Sequence, residues 1–138
     1  ESIHLAKSNT EPEFWVHAAA VLDYEPEYSD GKMPSGADNW NIKLQPTKKH
    51  LQVLKEHVEG SRRIGFKLEV GVDEETLISK SKNLISDNDL VAVVANLLDE
   101  VNGHSKNRCR IVFSNGAVEK IQDLSALCHT IEGIVASK

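Results

Sequence analysis

Positive charge is in short supply in this chain. Lys and Arg number 16 against 21 Asp and Glu, a formal net charge of −5 at pH 7. That balance argues against nucleic acid as a main partner, because a phosphate backbone is bound through a basic excess. Cysteine is just as sparse. The only two, Cys109 and Cys128, share no CxxC spacing and sit in apolar patterns. They read as reduced, buried thiols rather than a disulfide or a metal pair. No apolar run reaches membrane-spanning length and no signal-peptide pattern opens the chain, so a cytoplasmic protein without a membrane partner is expected. Aromatic residues make up 5% of the chain, which leaves aliphatic side chains to build the core. GxSxG, Walker-type and GxGxxG patterns are all missing, so covalent hydrolysis and the common nucleotide fingerprints have no support. The histidines are scattered: His50 and His57 lie two helical turns apart, and His104 and His129 stand alone. Metal ligation by side chains is not expected.

What is present describes one domain. A chain of 138 residues can bury roughly two-thirds of its unfolded surface, enough for a core without staples. Phe14 to Val21 reads as a strand, and residues 23–39 as a loop of Pro, Gly, Ser and acids. Asn41 to Gln45 alternates like a half-buried strand. Thr47 is placed to cap a helix carrying Leu51, Leu54 and Val58 and ending at Gly60. Arg63 to Val70 is a strand, and Asp73 caps a helix whose buried stripe is Leu77, Ile78, Leu84 and Ile85. Leu90 to Leu98 is almost wholly apolar, as in a central parallel strand covered on both faces. Cys109–Phe113 and Val118–Ile121 flank the Asn115-Gly116 turn as a hairpin. Asp123 or Ser125 caps a last helix with Leu124, Leu127, Cys128, Ile131 and Val135 inward. This order predicts an α/β fold: a Rossmann-like, mostly parallel sheet flanked by helices, with an antiparallel hairpin near the C-terminus.

In such a sheet the ligand crevice lies beyond the carboxyl ends of the strands. His17-Ala18-Ala19-Ala20-Val21-Leu22-Asp23 runs to that edge, and Lys67, Glu69 and Asn96 end other strands there. Asn96 interrupts an apolar run, and either a ligand or a backbone turn would satisfy its amide. Lys32, between Gly31 and Pro34-Ser35-Gly36, could fold over an anion or stand in solvent. Thr47-Lys48-Lys49-His50 opens a helix whose first N–H groups favour an anion; by sequence alone a plain cap with solvated lysines is the better account.

Taken in order, these pieces resemble phosphopantothenoylcysteine synthetase, the ligase joining 4′-phosphopantothenate to cysteine in coenzyme A biosynthesis. Residues 18–24 are similar to its AAAVSDY or AAVADY stretch, and Gly31-Lys32-Met33-Pro34-Ser35 to its KIKS or KIKK loop. Ile42 to Leu51 is similar to the segment reading TPKI or NPDI. Gly65-Phe66-Lys67-Leu68-Glu69 matches GFKLE, and Val93-Val94-Ala95-Asn96 matches the VVAN strand end, after a lysine-bearing helix with Lys82.

The resemblance implies a carboxyl-terminal portion of that ligase over residues 1–138, without the amino-terminal half that holds a Gly-rich nucleotide loop. That half would be supplied in cis or by a separate chain. It implies CTP or ATP as co-substrate, with Mg²⁺ held through the phosphates, an acyl-nucleotide intermediate, and a homodimer. His17, Ala18, Ala19 and Asp23 would line the nucleotide, with Asp23 at the ribose. Lys32 would be the catalytic cation on the phosphates. Thr47, Lys48, Lys49 and His50 would present backbone to the base beside Phe66, and Lys82 would add charge. The loop reads KMPSG without a second lysine, and none stands near Ser86. A catalytically inert relative that binds a nucleotide or a partner protein is therefore the rival expectation.

Overall fold

The computed structural model of the chain describes residues 13–28, 30–31, 35–36, 39, 41–58, 60–101 and 106–137. Along it run β1 (Phe14–His17), β2 (Tyr24–Pro26), β3 (Leu44–Pro46), α1 (His50–His57), β4 (Arg62–Glu69), α2 (Glu74–Asn88), β5 (Ala92–Leu97), β6 (Cys109–Phe113), β7 (Val118–Ile121) and α3 (Leu124–Ala136). One sheet has five strands in the order β1-β4-β5-β6-β7. β1, β4 and β5 are parallel, and β6 and β7 each run antiparallel to their predecessor. The expected α/β architecture with its C-terminal hairpin is present, and the sheet is mixed.

β5 sits in the middle because its first four residues have nothing polar to show. Ala92 to Ala95 are at most 1% exposed, as a strand covered on both faces must be. Alternate residues then serve two layers. Ile64, Ala92, Val94, Cys109, Ile111 and Ile121 pack with Leu127, Ile131 and Ile134 of α3. On the other face Val93, Ala95 and Val112 pack with Leu77, Ile85 and Leu90, at and just beyond α2, and Leu51 of α1 joins them. Gly65 of β4 faces this second layer, where a Cβ would come within 2.9 Å of Leu90 Cδ1 and 3.4 Å of Leu51 Cδ1.

The helix starts are set by aspartates. Asp73 accepts from the Thr76 N–H and Asp123 from the Ala126 N–H, each at 2.8 Å, which satisfies N–H groups that the helix itself cannot. α2 ends at Asp89, in the left-handed conformation with φ of 50°.

Several expectations are corrected. β1 stops at His17, and Ala18 to Leu22 form no strand; all five are exposed, Leu22 at 80%. Among the described residues β1 pairs with β4 alone, and none of them covers a longer apolar run. Residues 41–45 are not a half-buried strand either. Among the described residues β2 and β3 pair with each other alone, in a separate two-stranded ribbon whose residues are all exposed. Thr47 does not cap α1. Its hydroxyl donates to the Leu22 carbonyl, and Lys49 takes the cap position with no side-chain bond. Cys128 is exposed while Cys109 is buried, because the inward stripe of α3 is Leu127, Ile131 and Ile134. Leu124, Cys128 and Val135 lie off that stripe and face solvent.

Candidate functional site

The carboxyl end of β1 lies beside the middle of β4, with His17 in register against Gly65. Beyond His17 the chain leaves the sheet through the exposed alanines and reaches Asp23 at the foot of the β2–β3 ribbon. Thr47 closes that foot: its N–H donates to the Asp23 carbonyl at 2.9 Å and its hydroxyl to Leu22. Two residues later Lys49 reaches back, with Nζ 2.5 Å from Asp23 Oδ1. Sequence neighbours of the sheet edge and of α1 are thereby drawn into one cluster of polar groups.

His50, the first residue of α1, joins it. Its ring centroid lies 6.2 Å from that of His17, with the planes tilted by 53°. Partial burial, and then the facing His50, hold the His17 pKa below its usual value of 6.5. At neutral pH His17 is therefore an uncharged imidazole offering one donor and one acceptor. The Lys49 ammonium beside Asp23 holds that carboxyl below its usual range, first by hydrogen bonding and then by charge, and Lys67 adds a smaller pull. Both members of the pair are mostly exposed, so the contact contributes little to stability. α1 has no side-chain cap and no acidic residue in its first turn. The positive end of its dipole thus remains uncompensated next to Lys49.

A second charged group lies further along β4. Glu69, nearly buried, receives Lys67 Nζ at 2.9 Å and Lys80 Nζ of α2 at 2.7 Å. These two lysines keep its carboxyl ionised well below the usual range. Lys80 carried no signal in the sequence, since only the docking of α2 against β4 brings it there.

The remaining expected residues divide. Ala18 and Ala19 are exposed at the cluster's rim and Lys48 beside it. Lys32 lies outside the described residues. Phe66 points to the opposite face of the sheet from Gly65 and packs against the α3-side core. Lys82 stands on the solvent side of α2. Asn96 is half-buried, its Nδ2 3.5 Å from the Val94 carbonyl, so a backbone contact occupies part of the amide. Among the described residues no group of three His, Cys, Asp or Glu converges on a metal position. The cluster brings together an uncapped helix start, the Lys49 ammonium and the Asp23 carboxylate, groups able to meet negative charge and to accept from a hydroxyl.

Residues 3–131 match the family of the DNA/pantothenate metabolism flavoprotein C-terminal domain. The Coenzyme A biosynthesis bifunctional protein CoaBC of Methanocaldococcus jannaschii is 31% identical over 85 residues, which are 62% of this chain and 21% of that protein. The chain thus corresponds to about a fifth of that relative's length. Among solved structures, the DNA/pantothenate metabolism flavoprotein from Streptococcus pneumoniae superposes with a TM-score of 0.71 at 23% identity, covering 96% of this chain and 68% of that one. A Cab2 mutant in complex with phosphopantothenate-cysteine gives 0.60 at 23% identity, covering 86% and 42%. These two likenesses establish the fold.

Proposed function

Since this chain belongs to the DNA/pantothenate metabolism flavoprotein C-terminal domain family, we propose that it carries the nucleotide site of a phosphopantothenate–cysteine ligase of coenzyme A biosynthesis. The observation that carries this reading is the Asp23–Lys49 pair seated on the uncapped start of α1. The bifunctional name of the curated relative and the ligand of the Cab2 neighbour support it.

In the proposed reaction the 4′-phosphopantothenate carboxylate attacks the α-phosphorus of CTP or ATP. The bond to pyrophosphate breaks and an acyl-nucleotide forms. The cysteine amine then attacks the acyl carbon, and the nucleoside monophosphate leaves as the amide forms. Charge accumulates on the departing pyrophosphate, and fixed cations stabilise it there. In this chain Lys49, the N–H groups that open α1 and Lys32 supply that charge. Asp23 accepts from a ribose hydroxyl, and His17 with His50 floors the pocket as one neutral and one facing imidazole. Lys48 and Thr47 shape the approach to the base. Mg²⁺ would be held chiefly by the phosphate oxygens, since no side-chain cage stands among the described residues. Because the chain matches a fraction of the relative's length, substrate handling is completed outside it, by another segment or another chain.

The test is ligation by the complete enzyme, which supplies both halves. Asp23→Ala, Lys49→Ala and Lys32→Ala should each lower triphosphate-dependent coupling of cysteine. Unchanged coupling in all three would remove the site assignment and favour an inert, partner-binding role for this domain.

A further inference from the structure

β4 continues past the end of β1 as far as Glu69. Alternation places Gly65, Lys67 and Glu69 on one face of that strand. It is the face of His17, which lies in register with Gly65, and the face on which α1 and α2 pack. Gly65 has no side chain, so the first group beyond His17 on this side of β4 is the Lys67 ammonium. It stands where β1 no longer flanks the sheet and the chain has turned away toward Asp23.

The ion pairing of Lys67 leaves it in surplus. Glu69, whose side chain is 12% exposed, receives Lys67 Nζ at 2.9 Å and Lys80 Nζ at 2.7 Å. A nearly buried carboxylate must keep a counter-charge, but one lysine is enough, and the group of three carries one positive charge in excess. Of the two lysines, it is Lys67 that also acts on the nucleotide cluster. It lowers the Asp23 pKa through charge alone, whereas Lys49 does so first by a hydrogen bond. Lys67 is thus within range of the Asp23 carboxylate yet further from it than Lys49, which touches it.

We propose that Lys67 is a phosphate ligand of the nucleotide site, taking the outer phosphates of a triphosphate while Lys49 and the start of α1 take the inner one, and that Lys80 keeps it available by holding Glu69. The proposal rests on the nucleotide reading above. The order along the ligand follows from distance: the ribose at Asp23, then Lys49 in contact with that carboxylate, then Lys67 beyond bonding reach of it. On binding, Lys67 Nζ exchanges a Glu69 oxygen for a phosphate oxygen, and Glu69 stays neutralised by Lys80. Lys67 is the binding residue; Glu69 and Lys80 act through it as positioning residues.

The experiment is calorimetric titration of this chain with CTP, CMP, ATP and AMP in Mg²⁺, and with inorganic tripolyphosphate. Lys67→Met should weaken uptake of the triphosphate about tenfold, the scale of one hydrogen bond to a charged group, and leave its monophosphate unchanged. Lys67→Arg should restore most of the preference. Lys80→Met should cause the same selective loss, because Glu69 then holds Lys67 for itself, and adding Glu69→Gln should return the affinity. An ion triad that only docks α2 against β4 would alter triphosphate and monophosphate binding alike, or stability alone. Either of those results, or a triphosphate preference untouched by Lys67→Met, would overturn the proposal and leave the nucleotide reading in place. Tripolyphosphate bound through Lys67 without uptake of any nucleotide would overturn the nucleotide reading and keep Lys67 as a polyphosphate ligand. No uptake of any probe would overturn both.

Discussion

Gly65 is the position where the two halves of this account meet, and replacing it with alanine is the sharpest perturbation. The new Cβ would lie 2.9 Å from Leu90 Cδ1 and 3.4 Å from Leu51 Cδ1. Carbon atoms pack at about 3.5–4.0 Å, so the first contact is too close by about half an ångström or more. A flexible side chain at a surface would swing away, but Leu90 is only 3% exposed and is enclosed by the α2 layer. Overpacking of this kind costs about 1–3 kcal/mol. Against it stands the about 0.5–1 kcal/mol by which alanine is better than glycine inside a strand. The net expectation is a loss of up to roughly 2.5 kcal/mol, with a middle value of about 1 kcal/mol. With a urea m-value of about 1–3 kcal/mol per molar, the midpoint should fall by several tenths of a molar or more. Leu51 adjoins His50, so relief by displacing α1 should also weaken nucleotide binding. Removing Leu90 as well should give a double loss smaller than the sum of the single ones. A midpoint for Gly65→Ala equal to or above wild type would refute the packing argument.

Other substitutions probe the buried charges and the imidazoles. Arg110, whose side chain is 4% exposed, is gripped by Glu100 and by Glu74, the latter at 2.8 Å. Arg110→Ala should therefore cost about 3–5 kcal/mol by stranding the nearly buried Glu100, read by chemical denaturation; pairing it with Glu100→Gln should recover much of that loss. His17 has a folded pKa below the usual 6.5, so the unfolded chain binds the proton more readily. Its contribution to stability is complete above about pH 6.5 and is lost as pH falls through the folded value. Denaturation followed between pH 7.5 and 5 should show that decline, and His17→Gln should flatten it. At lower pH the same logic applies to Glu69, whose carboxyl is held below the usual 4.5 by Lys80 and Lys67. Stability should drop as acid protonates it, less so in Glu69→Gln.

The sheet was legible where burial and local chemistry agree. A continuous apolar run marked β5; Ile64, Phe66 and Leu68 at alternate positions marked β4; and Asn115-Gly116 with its flanking strands marked β6 and β7. Asp73 and Asp123 announced α2 and α3 because a cap needs only a short-range acceptor. The edge was misread for a physical reason: apolar composition signals a strand only when another layer covers it, and Ala18 to Leu22 have none. The alternation over Asn41 to Gln45 overlapped β3, but its pairing with β2 was not legible, since that pairing joins residues some twenty apart. The candidate site residues were named through family resemblance, and their geometry was not legible. Nothing in the spacing foretold that Thr47 would abandon its cap for Leu22, that Lys49 would turn to Asp23, or that Phe66 would face α3. Lys80 belongs wholly to the fold.

The central claim is that the Asp23–Lys49 cluster is a nucleotide site in this chain. Calorimetric titration with CTP, ATP and GTP in the presence of Mg²⁺, repeated on Lys49→Ala and Asp23→Asn, tests it most directly. The account predicts preferential uptake of CTP or ATP, weakened about tenfold or more, at least ~1.4 kcal/mol, by either change. Uptake that neither substitution affects, or no uptake of any of the three, would contradict it.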